Sequence, residues 1–287
     1  MPTYPPSVLE PTWIALVDDA AIFPPAETPL HEAMAAWGAR SDEWYAGIVG
    51  SFVLKDTDLP LVRGLDAPLS VVLTGGAGQV SGPLDMARRM GVRLAAVDIA
   101  LRDLDDPAAN ARRIVASLDQ ARDQGLLPDE VVVYVEMPQA EVTPVWLAAA
   151  DEIAAADLRM KFRTGGVEPH LFPTATRLAA WIDAALDRET PFKCTAGLHR
   201  AVRHRDEHTG FEHHGFLNVL VATGAAFDGS SRDEVLALLE ERDVARMIGH
   251  AFDTDIHRTR RWFTSFGSCS VTEPVDDLVR TGLLEDV

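Results

Sequence analysis

Eight short apolar runs, mostly separated by helix-length segments, constrain the fold of this chain more than any other feature. They occupy 13–17, 46–54, 69–73, 92–99, 131–135, the two stretches around Lys161 and Lys193, and 264–271. Spacers such as 107–124, 140–155 and 173–187 carry the length and periodicity of amphipathic helices. Strand-sized runs alternating with helices read as β/α units, and such units build a parallel sheet. An open doubly wound sheet is the rival, but it gives no reason for polar residues at so many strand ends. Eight units in 287 residues match the arithmetic of a (β/α)8 TIM barrel. The expectation is therefore α/β, one TIM-barrel domain over 1–287. The stretch 199–262 breaks the rhythm and reads as a loop and helical excursion between strands seven and eight, over the C-terminal face of the barrel, where it would act as lid, substrate wall or subunit contact.

Within that frame one pattern occurs twice. Lys161-Phe162-Arg163-Thr164-Gly165 and Lys193-Cys194-Thr195-Ala196-Gly197 each end a strand-like run, one helix apart. In both, apolar residues flank the lysine, so alternation along the strand turns the apolar set one way and the lysine the other. Of the 26 basic residues only Lys55, Lys161 and Lys193 are lysines, leaving 23 arginines. A chain that uses arginine so heavily, yet keeps lysine at matching places on consecutive strands, points to an amine that must lose its proton. Arginine cannot do that.

Active residues of TIM barrels lie at the C-terminal ends of strands. Reading those ends gives Asp18 and Asp19, Lys55, Thr74, Asp98, Glu136, Lys161 with Arg163, Lys193 with Thr195, and Ser268 with Ser270. His199 follows Ala196-Gly197 directly and is placed for substrate contact or proton transfer. A lysine attacks a carbonyl only when neutral, and its unperturbed pKa lies near about 10.4; a neighbouring ammonium in a dry site lowers it. The resulting iminium is an electron sink, with Asp98 or Glu136 to shuttle a proton and Arg163 or the glycine-serine turn to hold an anionic tail.

These lysine motifs resemble the paired lysine strands of deoxyribose-phosphate aldolase and its class I relatives. The resemblance implies that Lys161 forms the Schiff base, that Lys193 lowers its pKa, and that Asp98 takes part in proton transfer. Gly267-Ser268-Cys269-Ser270 is similar to that family's phosphate-binding turn. It covers about the last third of the chain plus Asp98 and implies a carbon–carbon lyase acting on a small anionic carbonyl substrate, without a cofactor.

Two other readings compete. Val133-Tyr134-Val135-Glu136-Met137-Pro138 is faintly similar to the strand-ending glutamate of citrate-lyase β-subunit-like enzymes, which implies Mg²⁺ held by Glu136 with Asp98 or Asp18 under a 2-oxo acid or acyl-CoA. A barrel without catalysis, binding a partner through 199–262, is the other. His199, His204, His208, His213 and His214 crowd one region, His204 and His208 sharing a helical spacing; with Asp18, Asp98 or Glu136 they offer ligands for a divalent metal, but without a recognised metal spacing all except His199 read mainly as a polar surface loop. The glycine-rich stretch 74–78 reads as a tight βα turn, and Cys194 and Cys269 read as core thiols.

The formal net charge of −18 argues against nucleic acid and anionic membrane as partners. No apolar run is long enough to span a bilayer, and residues 1–11 do not read as a signal peptide. Two cysteines make no disulfide framework, so a cytoplasmic setting is expected. The expected partner is a small-molecule substrate, with a homo-oligomer as a further possibility.

Overall fold

Eight parallel strands close on themselves in the computed structural model, which describes residues 9–285. In chain order the strands are β1 (Val17–Asp19), β2 (Val49–Lys55), β3 (Leu69–Leu73), β4 (Leu94–Ala100), β5 (Val132–Glu136), β6 (Arg159–Arg163) and β7 (Phe192–Thr195). A two-stranded antiparallel hairpin, β8 (His204–Arg205) and β9 (Glu212–His213), follows, and β10 (Phe263–Ser268) completes the barrel between β7 and β1. The fold expected from the apolar runs is the fold observed. The first eight residues of the proline-rich lead lie outside the described residues.

The helices form the outer layer: α1 (Leu30–Arg40), α2 (Ser81–Met90), α3 (Pro107–Asp123), α4 (Pro144–Ala155), α5 (Ala175–Leu186), α6 (Phe216–Phe227), α7 (Arg232–Glu240), α8 (Val244–Asp253), α9 (Ile256–Thr259) and α10 (Thr272–Arg280). Side-chain oxygens cap several of them, Asp106 on α3, Thr143 on α4 and Thr174 on α5, each accepting from a backbone N–H in the first turn. After β2 the chain makes only a 3₁₀ segment, Asp56–Leu61, broken by Pro60. Thr74 Oγ1 donates to Asp56 at 2.6 Å, so the glycine-rich stretch after β3 is fixed as a turn.

The excursion divides into two parts. α6 is buried along Phe216–Gly224 and packs beside β10, where Phe216 stacks on Phe266 with ring centroids 5.1 Å apart. It occupies the outer-ring place of a barrel helix, with α7 against it and α5. Only the segment leading into it, which carries the β8–β9 hairpin, hangs over the C-terminal mouth. The amphipathic α8 had no counterpart among the helices expected from the sequence.

Outward-facing aromatics weld the lysine strands to the helices. Phe162 stacks on Trp181 of α5 at 5.6 Å, Phe192 lies 5.0 Å from Phe162, and Phe263 lies 5.5 Å from Phe192. Each such side chain contributes on the order of 2 kcal/mol by leaving water. At the opposite end of the barrel Arg260 donates to the carbonyls of Ile14, Ala15 and Phe263, bridging the beginnings of β1 and β10.

The glycines ending the two lysine motifs explain each other. Gly197 sits at φ +79°, and a Cβ there would lie 2.9 Å from both Gly165 Cα and Thr164 O. The ends of β6 and β7 therefore touch backbone to backbone, and no side chain fits between them. Thr164 Oγ1 locks the contact by donating to Ala196 O at 2.6 Å. Gly197→Ala is expected to destabilise the protein by about 1–3 kcal/mol. Urea denaturation monitored by circular dichroism measures this, and an unchanged midpoint would contradict the close approach.

Candidate active site

Alternation along β6 and β7 turns Met160, Phe162, Phe192 and Cys194 toward the outer layer and Lys161 and Lys193 into the lumen, where both lysines are buried. Register sets them side by side: Lys161 pairs with Lys193 across β6–β7 and with Glu136 across β5–β6. Lys161 Nζ donates to Asp98 Oδ2 at 2.9 Å and lies 3.2 Å from Glu136 Oε2. Lys193 Nζ lies 2.9 Å from the other Asp98 oxygen and 3.6 Å from Asp18 Oδ2. One carboxylate thus bridges both amines.

The surroundings complete the cluster. Arg163 Nε donates to Glu136 Oε1 at 3.1 Å. Asp18 accepts from Ser51 Oγ at 2.7 Å and from Ser265 Oγ at 2.9 Å. The Lys193 ammonium lies 4.4 Å from the centroid of the Tyr134 ring, close enough for a cation–π contact. Sequence reasoning missed Ser51, Ser265 and Tyr134, although each lies on a strand. Asp19, adjacent to Asp18, points to the helices and pairs with Arg40 at 2.7 Å, so the two acidic neighbours divide into one lumenal and one structural residue.

Burial opposes charge on Asp98, Glu136 and Lys193, and pairing outweighs it. Asp98 is held below the usual carboxylate range by Lys161 and Lys193, against its burial, and Glu136 likewise by Lys161 and Arg163. Lys193 is pushed in the other direction: burial works to discharge it, but Asp98 and Asp18 hold its pKa above the ordinary lysine value. Lys193 is therefore a permanent cation at neutral pH. Removing one partner from such a buried set costs about 3–5 kcal/mol, because the remaining charge is left unpaired.

The cluster forms the floor of a cavity of about 1080 Å³ at the C-terminal mouth. Phe172 and Phe211, with ring centroids 5.4 Å apart, form part of its wall, and Arg163 and Arg200 place positive charge on it. The hairpin adds His204 and His213, cross-strand partners whose rings lie 5.1 Å apart. Burial, with His213 nearby, drives the His204 pKa down to about 4. The histidine-rich region is thus a cavity-lining hairpin rather than a surface loop or a helix. His208 is exposed and does not join the pair.

Other residues singled out from the sequence fall less centrally. Thr195, His199, Gly267 and Ser270 line the cavity. Lys55 is exposed, with its ammonium 5.6 Å from the Phe23 ring centroid, and is not among the lining residues. Ser268 is buried and donates to Ser270 O at 2.7 Å, so its hydroxyl is already engaged. Glu273 sits in the first turn of α10. The chain itself thereby supplies the negative charge that a helix N-terminus favours, which weakens the glycine-serine turn as a phosphate grip. Cys269 is not a core thiol: it is half-buried on the cavity wall, whereas Cys194 is buried as expected.

Asp98 and Glu136 do not fit the magnesium-binding alternative. An ammonium, Lys161 Nζ, already lies within 3.2 Å of both, and among the described residues no group of three or more His, Cys, Asp or Glu side chains is arranged to hold a metal ion.

Comparison with solved structures gives a likeness that spans the whole fold. No family model matches the chain, and no curated protein matches it. Among solved structures, deoxyribose phosphate aldolase from Aeropyrum pernix, described as a tetramer of unique structure, superposes with a TM-score of 0.54 at 13% identity. The match covers 96% of this chain and 93% of that one. The likeness suggested by the lysine motifs thus extends to the whole fold. No helix of the described residues is long and apolar enough to cross a membrane.

At the rim, His199 Nδ1 lies 2.8 Å from Glu273 Oε2. Burial opposes the charge on His199, but hydrogen bonds to Cys269 and Glu273 outweigh it and push its pKa up to about 9. A raised histidine pKa contributes stability that is complete below the unfolded value near about 6.5 and disappears as pH rises through the folded value. Glu273 is shifted down by the same contact, so its contribution fades toward acid. Glu273→Gln is therefore expected to destabilise by less than about 1 kcal/mol, since the carboxylate is largely exposed. In urea melts across pH, the difference from wild type should be greatest between about pH 5 and 6.5, shrink steadily as pH rises further and vanish above about pH 9. A difference that grows above pH 9 would contradict this assignment.

Proposed function

We propose that this chain is an aldolase-type lyase that carries its carbonyl substrate as an imine on Lys161. The observation that carries the proposal is the sharing of Asp98 between two buried amines. Lys193, held protonated by Asp98 and Asp18, is unsuited to attack, which leaves Lys161 as the nucleophile and Lys193 as the fixed cation beside it.

The chemistry follows from the contacts. Lys161 gives up a proton to Asp98 or Glu136, both within hydrogen-bonding reach, and its neutral amine adds to the carbonyl carbon. Loss of water from the carbinolamine gives the iminium. For a β-hydroxy carbonyl substrate, a carboxylate takes the hydroxyl proton as the carbon–carbon bond breaks and its electron pair moves into the iminium, giving an enamine and a free aldehyde. Protonation of the enamine and hydrolysis restore the lysine. Lys193 supports this cycle electrostatically, since a fixed positive charge beside Lys161 favours its neutral, nucleophilic form over the ammonium. Arg163 and Arg200 favour a substrate with an anionic end.

No cofactor enters this scheme. The structural neighbour is described as tetrameric, and we expect this chain to assemble with copies of itself. Two free thiols suit a reducing compartment, and we place the protein in the cytoplasm.

Borohydride reduction in the presence of small aldehydes and 2-oxo acids, followed by intact mass and peptide mapping, should trap an adduct on Lys161. Lys161→Arg should abolish the adduct and lower turnover by more than about a thousandfold. Asp98→Asn should lower turnover on the order of 10²–10⁴-fold while adduct formation persists more slowly. Full turnover in the Lys161 variant would end the imine assignment.

A further inference from the structure

Cys269 lies between β10 and α10 on the wall of the same cavity, and its surroundings differ from those of the other cysteine. Its Sγ is 3.7 Å from His199 Nε2, while the opposite ring nitrogen of His199 is 2.8 Å from Glu273 Oε2. Sulfur, imidazole and carboxylate therefore stand in line, contributed by the β10–α10 turn, the segment after β7 and the first turn of α10. Each member has a function in that order. The carboxylate fixes ring orientation and tautomer, the imidazolium is the counter-ion that a thiolate requires, and it can then deliver a proton. Cys194 has no such neighbours, and burial pushes its thiol up.

The groups around His199 agree with a charged ring. Glu273 faces one nitrogen and Cys269 the other, while the His213 ring lies 6.4 Å away and is kept neutral by burial. Arg200 and His204 complete the local set on the cavity wall. None of these contacts is used by the lysine cluster.

We propose that Cys269, His199 and Glu273 form a second nucleophilic centre in the cavity, one that adds reversibly to aldehyde carbonyls. The choice of electrophile rests on the aldolase reading, since cleavage of a β-hydroxy carbonyl releases an aldehyde into this cavity; the nucleophilic centre itself does not. The thiolate attacks the carbonyl carbon and a carbon–sulfur bond forms. The carbonyl π pair moves to oxygen, which takes the proton from His199 Nε2 and gives a hemithioacetal. Reversal releases the aldehyde. Nothing is oxidised or reduced, and no co-reactant is consumed.

Iodoacetamide labelling of the full chain at pH 6, quantified by peptide mapping, tests the centre directly. Cys269 should react at least about tenfold faster in the native protein than in the urea-unfolded chain, because the native fold holds an imidazole 3.7 Å from its sulfur and the unfolded chain does not. Cys194 should stay unlabelled in the native state. In His199→Gln the Cys269 rate should fall to the unfolded value. Equal rates for native and unfolded chain, or a rate unaffected by His199→Gln, overturn the centre. Glycolaldehyde should then protect Cys269 from labelling in Lys161→Arg or Lys161→Met, whichever keeps the wild-type circular dichroism, since no imine can form at residue 161 there. Fast labelling without protection overturns the aldehyde assignment. A fast, protectable Cys269 in a protein that gives no borohydride adduct would instead remove the imine reading and leave this centre standing.

Discussion

The sharing of one buried carboxylate between two amines is the contact on which the interior of this protein depends. Asp98 is almost fully enclosed, as are Lys161 and Lys193, and no water-exposed surface compensates their charges. Three carboxylates facing three cations make the lumen electrically balanced, but the balance is local: Asp18 serves Lys193, and Glu136 serves Lys161 and Arg163. A barrel whose purpose was stability alone would fill this layer with branched aliphatics, since apolar replacements of buried ion pairs are often neutral or stabilising. The cost is accepted where a charged group is put to use.

Much of this was legible in the sequence because strand periodicity is strict. One side chain in two faces inward, so Lys161 and Lys193 flanked by apolar residues had to share a face, and their neighbours had to meet the helices. Glu136 and Asp98 followed from the same rule at the ends of their strands. What the sequence hid were contacts between elements far apart in the chain. Ser51 and Ser265 meet Asp18 only because β2 and β10 flank β1, a pairing that no local pattern announces. Cys269 was misread for the same reason: a thiol after an apolar strand looks like core until a histidine seventy residues away is seen beside it.

The excursion after β7 shows a different limit. Its length suggested a single structure over the mouth, yet it combines a cavity-lining hairpin with a barrel helix and an additional layer. Length reports that something has been inserted and not where it packs. The apolar composition of α6, buried on all sides, was the signal that this segment belongs to the barrel wall.

The seam between β1 and β10 joins residues nearly the whole chain apart, and Arg260 fastens it from below. Loop closure on that scale is slow, and it rewards the chain only after everything between has been placed. The lumenal charges inherit this timing. Asp18 meets Ser265 and Lys193 only across the closed barrel, so Lys193 lacks its second carboxylate until the last strand docks, although Asp98 is already beside it. The full charge balance of the lumen is therefore the last part of the molecule to come into being, and a chain arrested before β10 would carry both buried lysines without the carboxylate that completes their set.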